Sequence, residues 1–270
     1  MQTIFITGAS AGLGKAAARL FQSKGWRVIA TMRRPENETE LSQLANVHLL
    51  PLDVTNVTQI ETTIRKAIAI AEIDLIFNNA GYGLVGAFEA YSDEQMVKQI
   101  NTNLLGVFRV AKPFVSYFRE QGRKGIFLTT TSVAGIAAIP LSTVYSATKF
   151  ALEGWSEGMN YDTSTFGLQF KTIAPGGIKT NFGSGALELA THDAYQPLLD
   201  RLTQGFQDGS LIYFSEPEDI AKVVFEAATD GKKQIRYTTG PDAIELDALR
   251  QKLGLQQHFN LIQRLYKNEQ

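Results

Sequence analysis

Apolar residues along this chain fall into short unbroken runs that alternate with longer stretches of helical period. Thr3–Thr7 reads TIFIT, a continuous β-type run of the kind buried on both faces of a parallel sheet. It leads into Gly8-Ala9-Ser10-Ala11-Gly12-Leu13-Gly14. Beyond this turn Leu13, Ala17, Leu20 and Phe21 share one helical face, and Gly25 marks a stop. Further strands are predicted at Arg27–Met32, Val47–Leu50, Leu75–Phe77, Ile126–Thr130, Leu168–Ile173 and Gln234–Tyr237. Helices are predicted between them at Val57–Ala71, Asp93–Glu120, Thr143–Thr165 and Pro217–Ala228. Strands alternating with helices imply an α/β fold, a doubly wound parallel sheet of about seven strands with helices on both faces. No Pro-, Gly- or Ser-rich linker interrupts the pattern, so residues 1–270 are expected to form one domain. Residues 181–214 mix apolar positions with turn formers and are expected to form a substrate-binding segment. Residues 244–266 read as a helical tail interrupted near Gly254.

Composition narrows the possible chemistry. Lysine and arginine number 26 against 27 aspartates and glutamates, a net charge of −1, which argues against a general nucleic-acid binder. Cysteine is absent, excluding disulfides, thiolate nucleophiles and cysteine-based metal sites. His48, His192 and His258 are far apart without metal-ligand spacing, so no metal site is expected. No apolar run approaches the roughly 20 residues of a membrane span, and no secretory leader pattern opens the chain. A cytoplasmic location without membrane contact is therefore expected.

The turn from a buried strand into a helix has a physical use. A helix N-terminus presents free backbone N–H groups and about half a positive charge, and glycine lets a pyrophosphate approach them. Gly8-x-x-x-Gly12-x-Gly14 in this setting predicts dinucleotide binding. The second strand ends at Met32 rather than at an acidic residue that would hold a ribose diol. Arg33 and Arg34 follow, and their guanidinium groups suit a 2′-phosphate. NADP(H) is accordingly favoured, with NAD(H) open because position 11 of the turn is not basic. Farther along, Tyr145 and Lys149 lie four residues apart, on one helix face. An ammonium there is expected to lower the phenol from its usual value near ~10, making it a proton donor and acceptor near neutral pH.

TGASAGLG (Thr7 to Gly14), NNAG (Asn78 to Gly81), TSVAG (Thr131 to Gly135), YSATK (Tyr145 to Lys149) and PGGIKT (Pro175 to Thr180) occur in that order. Together they resemble the short-chain dehydrogenase/reductase family, over roughly Met1 to Thr180 plus the segment near Tyr237. The resemblance implies a Rossmann-type domain and an NAD(P)-dependent oxidoreductase acting on a carbonyl or alcohol. It implies that Ser132, Tyr145, Lys149 and Asn103 are catalytic, with Asn101 the alternative to Asn103. It places the cofactor against Gly8, Ser10, Ala11, Gly12, Leu13, Gly14, Asp53, Val54, Asn79, Ala80, Gly81, Tyr145, Lys149, Pro175, Gly176, Ile178 and Thr180. It also implies a homodimer or homotetramer.

Leu84, Val85, Ile139, Pro140, Phe182, Leu187 and Leu189 are expected to wall the pocket, which suits a hydrophobic ketone, aldehyde or secondary alcohol. Two other activities fit parts of this pattern. A catalytically silent NADP(H)-binding regulator would be expected to lose Tyr145 or Lys149, and both are present. A related epimerase would show a T-G-x-x-G-x-x-G turn, a register that Gly8, Gly12 and Gly14 do not keep.

Overall fold

The computed structural model describes residues 1–179, 187–209 and 211–267. Seven parallel strands form its centre: β1 (Thr3–Thr7), β2 (Arg27–Met32), β3 (Val47–Pro51), β4 (Leu75–Asn78), β5 (Gly125–Thr130), β6 (Leu168–Pro175) and β7 (Arg236–Thr239). Their order across the sheet is β3-β2-β1-β4-β5-β6-β7, and every pairing is parallel. Helices α1 (Gly12–Ser23), α2 (Val57–Ile70), α3 (Asp93–Ile100), α4 (Gly106–Glu120), α5 (Thr143–Asp162), α6 (Gln196–Gln207), α7 (Pro217–Thr229) and α8 (Pro241–Lys267) complete the fold.

The period of two along each strand divides the core into two layers. On one face Ile4, Ile6, Val28, Phe77 and Leu128 pack with Phe21 of α1 and Val224 of α7. On the other, Phe5, Ile29, Ile76, Phe127 and Phe170 pack with Ile64 of α2 and with Phe114 and Phe118 of α4. Phe127 and Phe170 stack at 4.4 Å across adjacent strands. Each fully buried phenylalanine contributes roughly 1.5–3 kcal/mol.

The sequence is laid into the sheet from its middle. β1 pairs with β2 on one side (Thr7↔Thr31) and with β4 on the other (Ile6↔Phe77). The chain therefore reverses direction across the sheet between β3 and β4, and a crevice opens at the carboxyl ends of β1 and β4. Two short parallel ladders leave from that edge. Gly83–Gly86, after β4, pairs with Leu187–Ala190, and Gly177–Ile178, after β6, pairs with Phe214–Ser215.

The last strand and the long helix depart from their predicted course. The last strand lies at Arg236–Thr239, two residues beyond its predicted place, because RYTT carries little apolar signal. The single helix predicted over Asp93–Glu120 is broken by a π-helical turn at Asn101–Leu105. Residues 181–214 include α6 and the strand Leu187–Ala190. The tail is helical and, as expected, interrupted at Gly254, whose φ is +70°.

Candidate active site

The glycine turn sits at the mouth of the crevice. A Cβ on Gly14 would collide with the Gly8 carbonyl oxygen and stand 2.6 Å from Asn79 Nδ2, and one on Gly8 would lie 2.8 Å from Ala80 Cα. The turn is thus pressed against the end of β4 too closely for side chains. Asn79 Nδ2 donates to the carbonyls of Thr7 (3.3 Å) and Gly8 (3.2 Å), while Thr7 Oγ1 accepts from the backbone N–H groups of Asn79 (2.9 Å) and Ala80 (3.1 Å). The N-cap residue of α1, Ala11, has no side chain that could cap it, and no other described side chain does so. Its amides and its dipole stand ready for an anion, as pyrophosphate binding requires. Ser10 and Ala11 are exposed at this opening, whereas the Leu13 side chain is core, leaving only its backbone for a ligand.

The second half of the site is built on α5 and the end of β5. Lys149 Nζ donates to the Thr130 carbonyl at 2.8 Å and lies 5.5 Å from the centroid of the Tyr145 ring. Burial lowers Lys149 from 10.5 to about 8, opposed by the Glu153 carboxylate one turn later. Burial also raises the Tyr145 phenol above its usual value, opposed by a hydrogen bond with the Ser132 side chain. This reverses the direction expected of the phenol: the ammonium faces the ring and Thr130, and desolvation dominates. Ser132 Oγ accepts from the Ala134 N–H (3.1 Å), which fixes the hydroxyl at the start of a short 3-10 turn.

Asn103 lies inside the π-helical turn and is 1 % exposed. Its Oδ1 accepts from Tyr82 N (3.1 Å) and its Nδ2 donates to Tyr82 O (2.8 Å). Asn101 points elsewhere, its Oδ1 accepting from Arg109 Nη2 (3.3 Å). Of the two candidates, Asn103 is the one turned toward the NNAG segment.

The adenosine side is more open. Arg33 and Arg34 are exposed, and their guanidinium groups have no partner among the described residues. The Asp53 carboxylate accepts from Thr55 N (2.8 Å) and Thr55 Oγ1 (2.7 Å), and the Val54 side chain belongs to the core against Gly106. Pro175 is buried, while Gly176 and Ile178 are half-buried on the turn leaving β6. Thr180 and Phe182 lie outside the described residues.

The pocket walls divide. Leu84 is fully buried beside Tyr91, Val144 and Ala190 and belongs to the core rather than to a wall. The ladder register Leu84↔Glu188 and Val85↔Leu189 turns Val85, Leu187 and Leu189 to the other face. Ile139 and Pro140 are half-buried. A separate apolar groove of about 390 Å³, lined by residues such as Met96, Leu104, Val144 and Ala147, flanks α5 on a side different from the Tyr145–Lys149 face.

Sequence reasoning missed three buried polar residues. Gln99, one turn before Asn103, donates to Tyr82 O (3.1 Å). Glu153, one turn after Lys149, accepts from Thr131 Oγ1 (2.5 Å), Thr172 Oγ1 (3.1 Å) and Arg236 Nε (2.9 Å). Both stand four residues from a residue already singled out, so helical spacing alone would have found them. Glu38 accepts from Lys15 Nζ (3.1 Å), Glu40 N (2.9 Å) and Leu41 N (2.9 Å), fastening the loop that follows Arg33 and Arg34 to α1. No local pattern marks it.

Comparison with known proteins bears on the whole arrangement. The family model described as short chain dehydrogenase matches residues 2–188. The chain is 34% identical over 252 residues to an oxidoreductase of Schizosaccharomyces pombe, covering 90% of this chain and 84% of that one. It is 28% identical over 256 residues to human (Homo sapiens) 17-beta-hydroxysteroid dehydrogenase type 1, covering 87% and 76%. A short-chain dehydrogenase from Streptomyces avermitilis has the same fold, with a TM-score of 0.83, 28% identity and 97% of both chains covered.

Proposed function

The chain belongs to the short-chain dehydrogenase family and is an NAD(P)-dependent oxidoreductase; on that footing we propose that it uses NADP(H) to interconvert a hydrophobic ketone or aldehyde and its alcohol, with Tyr145 as the acid–base group. The observation that carries this reading is the Tyr145 phenol, hydrogen-bonded to Ser132 with the Lys149 ammonium 5.5 Å from its ring centroid, beside a crevice where the helix N-cap residue, Ala11, has no capping side chain.

The turn from Gly8 to Gly14, with the first amides of α1, would hold the pyrophosphate. Asp53 and Val54 would line the adenine, Arg33 and Arg34 the 2′-phosphate, and Asn79 to Gly81 the floor. Lys149 would reach the nicotinamide ribose, and Pro175, Gly176, Ile178 and Thr180 the carboxamide. When bound, the dinucleotide supplies hydride chemistry at its nicotinamide.

The protein's own residues handle the oxygen and its proton. Ser132 donates to the substrate oxygen where negative charge develops. Tyr145 gives that oxygen its proton, or takes it in the oxidative direction. A charged Lys149 favours the phenolate, and Asn103 orders a water through which the lysine exchanges protons with solvent. Val85, Leu187 and Leu189 offer an apolar face to the substrate, in keeping with a relative that is a hydroxysteroid dehydrogenase.

The test is NADPH consumption over a panel of hydrophobic ketones and aldehydes, with Tyr145→Phe as control. Turnover should fall at least ~10²-fold in the variant while NADP⁺ affinity holds. An active phenylalanine variant refutes the assignment of Tyr145. Arg33→Ala should weaken NADP⁺ and leave NAD⁺ unchanged; equal loss of both would remove the argument for the 2′-phosphate.

A further inference from the structure

The turn Pro175–Ile178 leaves the sheet beside the strand end that carries Ser132. It is secured at three places. Gly176 N donates to the Thr239 carbonyl (3.0 Å), and Lys179 N donates to the Ser215 carbonyl (2.8 Å). Between them, Gly177 N donates to Asp242 Oδ2 at 2.9 Å. Only the middle anchor is a side chain, and it is charged. It comes from the first turn of α8, 65 residues beyond the amide that it holds.

The carboxylate has been given room by the backbone on both sides. A Cβ on Gly176 would collide with Asp242 Oδ1, and one on Gly240 would lie 2.9 Å from it. Asp242 Oδ1 is itself buried and has no hydrogen-bond partner among the described residues. A buried carboxylate oxygen without a donor is uncommon in a folded protein, and acidic residues in the first turn of a helix ordinarily serve that helix's own amides. Here the side chain reaches across to a different element and fixes one amide at a pair of consecutive glycines, whose missing side chains restrain the backbone least.

We propose that Asp242 is a positioning residue for the nicotinamide end of the cofactor, tying the Gly176–Gly177 backbone to α8 so that the turn keeps the course the nicotinamide requires. This rests on the reading above, in which that turn meets the carboxamide. It assigns to the C-terminal helix a part in cofactor geometry that the glycine turn and the Tyr145–Lys149 pair do not supply.

Two ligands separate this role from a general loss of structure. NADP⁺ spans both ends of the site, whereas 2′,5′-ADP occupies only the adenosine end. Calorimetric titration of the full-length protein should show Asp242→Ala weakening NADP⁺ about tenfold, the scale of one hydrogen bond to a charged group. The affinity for 2′,5′-ADP should stay within about twofold of the parent, and Asp242→Asn, which keeps an acceptor for Gly177 N, should recover most of the NADP⁺ affinity. Asp242→Ser, too short to reach that amide, replaces the alanine variant if the latter does not fold. If NADP⁺ proves the weaker dinucleotide, NAD⁺ and ADP-ribose form the equivalent pair. Unchanged NADP⁺ binding, or parallel loss of both ligands, overturns the role of Asp242 alone. A parent protein that binds neither dinucleotide overturns the functional reading and this inference together.

Discussion

Lys149 Nζ donates to the Thr130 carbonyl over 2.8 Å, joining the helix that carries Tyr145 to the strand end that leads into Ser132. That bond holds a charge in a place where the fold alone would not keep one. Lys149 is lowered from 10.5 to about 8 by burial, so the ligand-free protein carries the full cost of the ammonium below about pH 8. As pH rises toward 10.5 the folded form loses its proton before the unfolded form does, and the penalty fades. Lys149→Met should stabilise the ligand-free protein at pH 7 by up to about 1.5 kcal/mol, because the ~3 kcal/mol cost of the buried ammonium is offset in large part by the ~1.5–3 kcal/mol of a hydrogen bond from a charged donor. Urea unfolding at pH 7 and again near 10.5 checks this; a variant that is the weaker protein at both would sink it.

Glu153 acts on the same lysine from the other side. Its carboxylate raises Lys149 against the effect of burial, so Glu153→Gln should move the lysine titration to lower pH. The variant also loses its charged bond with Arg236 Nε and should be less stable by about 2 kcal/mol. The pH dependence of unfolding separates the two effects. A midpoint that stays in place or climbs would show that Glu153 does not act on the lysine's charge.

Asn103 and Asn101 should respond unequally to alanine. Asn103→Ala leaves the Tyr82 N–H without its acceptor, while Gln99 still serves the Tyr82 carbonyl. A loss of about 1–3 kcal/mol follows from one unmade buried hydrogen bond. Asn101→Ala, which forfeits only a 3.3 Å contact with Arg109, should fall within about 0.5 kcal/mol of the parent. Equal denaturant midpoints for the two variants would contradict the buried role of Asn103.

The glycines offer a test with opposite signs. Helical propensity alone favours alanine over glycine by roughly 1 kcal/mol. At Gly154 and Gly158 of α5 an added Cβ meets nothing within 4 Å, so each alanine should raise stability by about 0.5–1 kcal/mol. At Gly14 the same change drives a methyl into the Gly8 carbonyl and toward Asn79 Nδ2, and both stability and dinucleotide affinity should drop. Thermal melts of the three variants decide it; a more stable Gly14→Ala would mean that the turn is not packed as described.

What could be read from the residues follows what is local. The run TIFIT and the spacing of Tyr145 and Lys149 are short-range patterns, and both occur in the fold as expected. The π-helical turn is not visible, because one extra residue per turn leaves no mark in the apolar spacing of Asp93–Glu120, where the buried positions at the break are the polar Gln99 and Asn103. Leu84 looks like any apolar loop residue until the ladder with Leu187–Ala190 buries it. Glu38 and Asp242 take their meaning from Lys15 and Gly177, 23 and 65 residues away. The direction of the Tyr145 shift depends on desolvation, which spacing along a helix does not reveal.

The bond from the Asn79 N–H to Thr7 Oγ1 spans 72 positions of the chain. The floor of the nucleotide crevice is consequently absent from any folding intermediate in which β4 has not yet docked on β1. Parallel pairings at such separation form late, because the loop must close before the contacts reward it. A bound nucleotide should then brake unfolding and leave the refolding rate nearly untouched, as interactions missing from the transition state do. Stopped-flow refolding with and without NADP⁺ would reveal an early crevice as faster folding. Newly made chains would accordingly gain the cofactor's protection only once the sheet is complete.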